Sequence, residues 1–212
     1  MTILAIDTSV GVSVAVHDGL AVLAQINRLE HAIQGEMTAQ YILDMVHESG
    51  TAISDITDVV VGVGPGPYTG LRVGITTGLV FAHARGIRVH GLCSLDAIAF
   101  DVLAHGEVSE CVVVTDARRK ELYWAHYGVT STAEPQVNTP AELQALFSGG
   151  TFVGPGVSLY PDVIAGENVS LRAAALAEVF VSGTGHIRDV VPMYLRKPDA
   201  VEPAPRKLVT PA

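Results

Sequence analysis

Three residues of one segment return together later in the chain. Asp7, His17 and Gly19 reappear as Asp116, His126 and Gly128, each displaced by 109 positions, and the tetrapeptide Val-Gly-Pro-Gly occurs at residues 63–66 and again at 153–156. A fixed offset shared by an aspartate, a histidine and a glycine implies two copies of one folding unit, and internal similarity of this kind constrains a fold more than any single element does. The motif recurrence divides the chain near Gly106. Residues 1–105 read as a first lobe and 106–190 as a second. Residues 191–198, an apolar run following a complete unit, are expected to return to the first lobe. Residues 199–212, with prolines among charges, read as an extended or disordered tail.

Within the first copy, residues 3–7, 12–17 and 20–26 are short β-rich runs, and Asp18-Gly19 between the last two is a hairpin signal. Helical spacing of Ile33, Met37, Tyr41 and Met45 predicts a helix over 33–48 that Gly50 ends. A buried strand over 58–63 leads into a Gly-Pro-Gly loop, then a helix over 69–85 closed by Gly86, with Thr69 placed to cap it. A strand over 87–91 follows, and Ser94-Leu95-Asp96 reads as the cap and first turn of a helix to about residue 105. The second copy offers strands at 111–115 and 122–127, a third within 129–137, a short helix at 140–147, a strand at 151–153 and an alanine-rich helix at 173–181. Two β-β-β-α-β-α units with an aspartate after the first strand predict an α/β fold of the duplicated actin-like type, two lobes each with a mixed sheet and helices.

Composition narrows the function. The 212 residues carry a formal charge of −9 with 49% hydrophobic and 17% charged residues. Nucleic-acid affinity rests on cations that displace counterions, so this balance opposes autonomous binding to a polyphosphate. Two cysteines, Cys93 and Cys111, are too few for a disulfide framework and read as buried and reduced. The N-terminus has no basic leader and the longest uncharged stretch is broken by glycines and Pro155, so a cytoplasmic protein without a membrane segment is expected.

Asp7, Thr8 and Ser9 form a turn suited to magnesium-bound phosphate, and with Asp116 they make a vestigial phosphate site at the interlobe cleft. The glycine-rich stretch 62–74 matches neither the Walker nor the dinucleotide spacing. In the helix that follows, Gly70, Gly74, Gly78 and Ala82 form a small-residue stripe. With Arg72 and with Met37, Tyr41 and Met45 of the preceding helix, the stripe is read as a partner interface, the alternative being packing on the chain's own sheet. Eight histidines contain no His-x-x-x-His pair, so no metal site is expected. His31, just before the first helix, is the histidine of most interest. A kinase on this fold needs a late adenosine-binding glycine motif, of which Gly183-Thr184-Gly185 is a faint echo.

The segments "ILAIDTS" at 3–9, "GVGPGPYTGLRVG" at 62–74, "GLCSLDAIA" at 91–99, "DARRKELYWAHY" at 116–127 and "PMYLRKP" at 192–198 resemble the TsaB (YeaZ) family in order and from end to end. Pro67 and Tyr68 depart from that family's common Ser-Phe. The resemblance implies a non-catalytic subunit in tRNA threonylcarbamoyladenosine formation, lacking the metal-binding histidines of the TsaD transferase. It implies pairing with a TsaD-like transferase through the first two helices, or self-pairing as a homodimer when alone, and recruitment of a TsaE-like ATPase. Contact with tRNA would be indirect, through the complex, with ATP and magnesium used by the partners and no intrinsic cofactor. The alternative is a self-sufficient enzyme of the same superfamily, a Mg-ATP-dependent kinase or a metallopeptidase.

Overall fold

The computed structural model describes residues 1–29, 34–104, 108–128 and 134–196. His31, the boundary at Gly106 and the tail from residue 197 lie outside the described residues. The first half contains β1 (Ile3–Asp7), β2 (Val12–His17), β3 (Val22–Arg28), α1 (Gln34–Glu48), β4 (Asp58–Gly62), α2 (Tyr68–Arg85), β5 (Arg88–Leu92) and α3 (Ser94–Leu103). The second contains β6 (Glu110–Asp116), β7 (Leu122–Gly128), β8 (Gln136–Asn138), α4 (Pro140–Leu146), β9 (Phe152–Val153), β10 (Gly166–Glu167) and α5 (Ala173–Ser182). The two-residue β10 had no legible signal.

The duplication is present in the strand ladders. The first sheet runs β3-β2-β1-β4-β5 and the second β8-β7-β6-β9-β10, the same order of equivalent strands. Ile3 pairs with His17 and Asp7 with Ser13; Val112 pairs with His126 and Asp116 with Leu122. Each pair in the second sheet is the first-sheet pair moved by 109 positions, because both first hairpins place five residues between their last partners. The repeated tetrapeptide is a looser likeness. Leu4 pairs with Val59 in the first sheet and its equivalent Val113 with Val153 in the second. The second Gly-Pro-Gly therefore follows a shorter strand, at the same place in the topology but in a different register.

Alternation along the strands assigns the helices. Leu4, Ile6, Val59 and Val61 face a core with Tyr41, Ile42 and Met45 of α1 and Leu71 and Ile75 of α2. Ile3, Ala5, Ala15 and Val60 face the other way, onto the alanines, Leu176 and Val179 of α5. Helix α3 turns Ala97 toward that core and Leu95, Ile98 and Ala99 toward Val113, Ala125 and Tyr127 of the second sheet. Leu143 of α4 closes the outer face with Val112, Val114, Trp124 and Phe152. Both faces of the central strands are covered, which is why β1, β4 and β6 read as near-continuous apolar runs. Helix α5 belongs to the second half by chain order yet lies on the first sheet, against β1, β2 and β4. The alanines permit that close approach. The chain then runs back along the first half, where Arg188 N donates to Gly91 O at 2.9 Å and Met193 N to Val63 O at 2.8 Å.

The small-residue stripe does not form a partner groove. Gly70, Gly74, Gly78 and Ala82 are buried, and they face the chain's own first sheet. A Cβ on Gly78 would lie 2.4 Å from Val61 Cγ1, and one on Gly74 2.3 Å from Thr8 Oγ1. Tyr41 and Met45 are likewise buried and Met37 is half-buried against the same core. The physical reason is spacing: steps of four place all four small residues on the side of α2 that meets β1 and β4, so they set the helix-to-sheet distance. Among the large apolar residues that α1 and α2 turn outward are Leu43, Leu79 and Val80, with Val80 62% exposed.

Gly78→Ala is therefore expected to lower stability by about 1–3 kcal/mol through overpacking, despite alanine's better helix propensity by roughly 1 kcal/mol. Thermal denaturation followed by circular dichroism checks this, and Val61→Ala in the same chain should recover part of the loss.

Candidate functional site

The expected phosphate turn is built, but the chain itself fills it. Asp7 ends β1 with its side chain buried. Its Oδ1 accepts the Ser9 amide at 2.7 Å and the Ser9 hydroxyl at 2.6 Å, and its Oδ2 accepts the Ser94 hydroxyl at 2.5 Å. Ser94 Oγ also accepts the Gly64 amide at 3.1 Å, while Ser94 N donates to Gly64 O at 2.8 Å. A Cβ at Gly62 would lie 1.7 Å from Asp7 Oδ2, so only glycine admits the carboxylate there. Burial pushes the Asp7 carboxyl above its ordinary value, with the Ser9 and Ser94 donors opposing. The space beside Asp7, bordered by Val10, Ser13 and Leu171, is about 10 Å³, no more than one water occupies.

Thr8 serves packing as well. Its hydroxyl donates to Gly70 O at 2.7 Å and accepts the Gly74 amide at 3.0 Å, so it sits between two groups four residues apart on α2. Ser9 packs on Gly66, where a Cβ would lie 2.8 Å from Ser9 Cβ. The glycine-rich loop thus receives the end of β1. Thr69 does not cap α2: the N-cap is Pro67, with no side-chain bond. Nor does Ser94 cap α3, whose N-cap is Cys93; its hydroxyl is committed to Asp7 and Gly64. The sequence analysis missed Thr139, which caps α4 in a reciprocal box with Glu142, although the Thr-Pro-x-Glu pattern carried the signal.

Asp116, the equivalent of Asp7, has a different fate. Its carboxylate is partly exposed, accepts the Arg118 amide at 2.7 Å and lies 3.2 Å from the Arg118 guanidinium. Arg118, Arg119 and Lys120 follow with φ of 62°, 52° and 62°. Left-handed backbone at a non-glycine residue costs on the order of 1 kcal/mol or more, and here three occur in succession. Asp7 and Asp116 therefore begin equivalent hairpins in different surroundings, the first buried and the second partly exposed. Arg72, the charged member of the expected interface, lies with its guanidinium carbon 3.7 Å from the Tyr68 ring centre, and its Nε donates to Tyr194 Oη at 2.9 Å.

Elsewhere, Tyr127 Oη donates to Asp96 Oδ1 at 2.7 Å, tying α3 to the second sheet, and burial holds the Asp96 carboxyl above its usual range. Cys93 and Cys111 are both buried free thiols, and burial pushes Cys111 up to about 11. A hollow of about 230 Å³ lies among Glu110, His126, Phe147 and Thr151, at the opposite end of β6 from Asp116. Gly183 ends α5 in left-handed conformation, and a Cβ on Gly185 would lie 2.3 Å from Val179 Cγ1. That glycine pair is a helix stop. Among the described residues no three His, Cys, Asp or Glu side chains converge in a way that suits a metal ion.

The raised Asp7 pKa gives a pH prediction. Because the folded state holds this proton more tightly than the unfolded chain does, the stability from this group is full below the ordinary value of 3.8 and is lost as pH rises through the folded value. Asp7→Asn removes the ionisation and keeps an oxygen for Ser9. It is expected to raise Tm at pH 7 relative to the parent, with the difference shrinking toward pH 4 in melts taken across that range.

A family model described as "TsaD: tRNA N6-adenosine threonylcarbamoyltransferase" matches residues 35–185. An uncharacterized protein of Mycobacterium tuberculosis is 35% identical over 216 residues, covering 94% of this chain and 93% of that one. The tRNA threonylcarbamoyladenosine biosynthesis protein TsaB of Escherichia coli is 28% identical over 233 residues, covering 98% of this chain and all of that protein. The solved structure of YeaZ from Pseudomonas aeruginosa superposes with a TM-score of 0.74 at 22% identity, covering 92% of this chain and 99% of that chain. It speaks to the fold alone. With a family match across most of its length and a relative of this identity across nearly all of it, the chain belongs to the TsaD family, as a TsaB/YeaZ-like member.

Proposed function

We propose that this chain is a subunit of tRNA threonylcarbamoyladenosine biosynthesis that supports a TsaD-like transferase and carries out no transfer itself. Two kinds of support meet in this reading. Likeness to a TsaB protein over its full length gives the process. The sealed Asp7 carboxylate carries the non-catalytic role, because an acid that orients a metal–phosphate group must present oxygens to the cleft, and both of these are taken by Ser9 and Ser94. The chain has no cofactor of its own. ATP and magnesium are used by its partners, among them a TsaE-like ATPase, and the complex works in the cytoplasm, where its tRNA substrate is.

The transferase docks on the outward faces of α1 and α2, at Leu43, Leu79 and Val80, rather than in the glycine stripe. Two such helix pairs meeting would bury area on the scale of a specific interface, about 1,200–2,000 Å², and the same face pairs two copies of the chain when the transferase is absent. Val80→Asp is expected to weaken association with the co-expressed TsaD-like protein at least tenfold by calorimetry while leaving the melting temperature within about 2 °C, since exposed substitutions change stability little. Unchanged affinity would move the interface elsewhere.

The rival reading is a self-sufficient kinase or peptidase on the same fold, and a description of one solved relative does use the word peptidase. Heating the pure chain with Mg-ATP is expected to leave Tm unmoved, whereas a nucleotide bound at a hundred times its Kd would add about 2.7 kcal/mol. Turnover by the pure chain that disappears in Asp7→Ala or Asp116→Ala would replace the partner reading with the enzyme one.

A further inference from the structure

In a chain of net charge −9 with thirteen lysines and arginines, three of the cations are consecutive, at the turn between β6 and β7. Arg118, Arg119 and Lys120 are all exposed, and their left-handed backbone is held from both sides: Ala117 N donates to Glu121 O and Glu121 N to Arg118 O, each at 3.0 Å. Arg196 fastens the turn from the returning chain, donating to Ala117 O at 2.8 Å and pairing with Glu121. Two residues earlier, Tyr194 stacks on Tyr68 with ring centres 4.8 Å apart, and Arg72 lies over Tyr68. Both tyrosines are more than a third exposed. Tyr194 and Arg196, two residues apart on the returning chain, thus link the cationic turn to an exposed aromatic–guanidinium stack, and among the residues named five cations stand against two carboxylates, Asp116 and Glu121. None of these groups is used in the sealed Asp7 site.

We propose that this surface is a direct contact for the phosphodiester backbone of a structured RNA, with the turn's cations on phosphates and the Tyr68–Tyr194 stack against an unpaired base. It rests on the reading of the chain as a subunit of a tRNA-modifying complex, and it replaces the expectation that tRNA is reached only through partners. The chemistry favours RNA over an acidic protein segment. Consecutive fixed cations match a repeating phosphate charge, and exposed rings backed by a guanidinium are the kind of platform on which single-stranded bases stack. The net charge of −9 disfavours a polyanion over the chain as a whole, so a local cluster of cations would orient the RNA on this face.

The test uses the chain assembled with its TsaD-like partner and a fluorescently labelled tRNA transcript, with anisotropy read from 50 to 300 mM salt. Replacing Arg118, Arg119 and Lys120 by glutamine is expected to weaken binding about tenfold or more at 0.1 M salt. The slope of log affinity against log salt should flatten by about 2–3, since each of the three lost phosphate contacts removes about 0.7–0.9 of a unit. Replacing Arg118 and Arg119 by lysine should restore most of the loss, and Tyr68→Ala should weaken binding with the slope unchanged. Sedimentation of the complex is measured on the same samples. Unaltered affinity and slope with the complex intact overturn the proposal; so does loss of assembly with normal tRNA binding by the fraction that remains assembled, which makes the turn a protein interface. If the unmodified chain does not associate with the transferase at all, the subunit reading fails. The RNA contact is then decided by the chain alone at 50 mM salt, where the triple variant must bind more weakly than the parent.

Discussion

The hydrogen bond from the Ser94 hydroxyl to the buried Asp7 carboxylate joins the end of β1 to the start of α3, and the same serine holds the Gly64 loop through its amide and its side chain. Three segments distant in sequence meet at that point: the first strand, the loop between β4 and α2, and the helix that lies between the two sheets. A buried carboxylate costs free energy unless its oxygens are satisfied. Ser9 and Ser94 satisfy them, and glycine at position 62 leaves the room. Helix α2 is then positioned by the neighbouring Thr8 hydroxyl at Gly70 and Gly74. Where the first sheet meets its helices thus follows from one aspartate and the hydroxyls around it.

The two halves keep one ladder register and differ in what they do with its aspartate. In the first half the hairpin after Asp7 is folded back on small residues and closed to solvent. In the second the hairpin after Asp116 opens outward on three left-handed basic residues. Duplication supplies the same frame twice, and the side chains after each aspartate decide whether that frame becomes a packing junction or an exposed charged turn. Exchange of helices between the halves keeps them together, since α3 and α5 share the layer between the sheets and neither half holds its full core without the other.

The proposed division of labour follows from the same contrast. A chain whose first aspartate is consumed by internal bonds has little left to offer a metal–phosphate group, while its exposed features are the apolar outer faces of α1 and α2 and the cationic surface shared by both lobes. These are surfaces for association with a transferase and with RNA.

By itself the sequence determined the duplicated α/β architecture, most of the long elements and the family. Each of these is written locally, in the offset of 109, in alternating apolar residues, in glycine stops and in contiguous motifs. It did not determine which way the glycine stripe faces. Periodicity fixes that four residues share a side of a helix but carries no information about what that side meets, and here it meets Thr8 and Val61. Nor did it determine that Ser94 would forgo a cap for Asp7, that α5 would cross to the first sheet, or that Arg196 would reach the Arg118–Lys120 turn. Those are choices among partners far apart in the chain. Only the closure of the tertiary structure, where every buried polar group must find a donor or acceptor and every close approach a residue small enough, decided them.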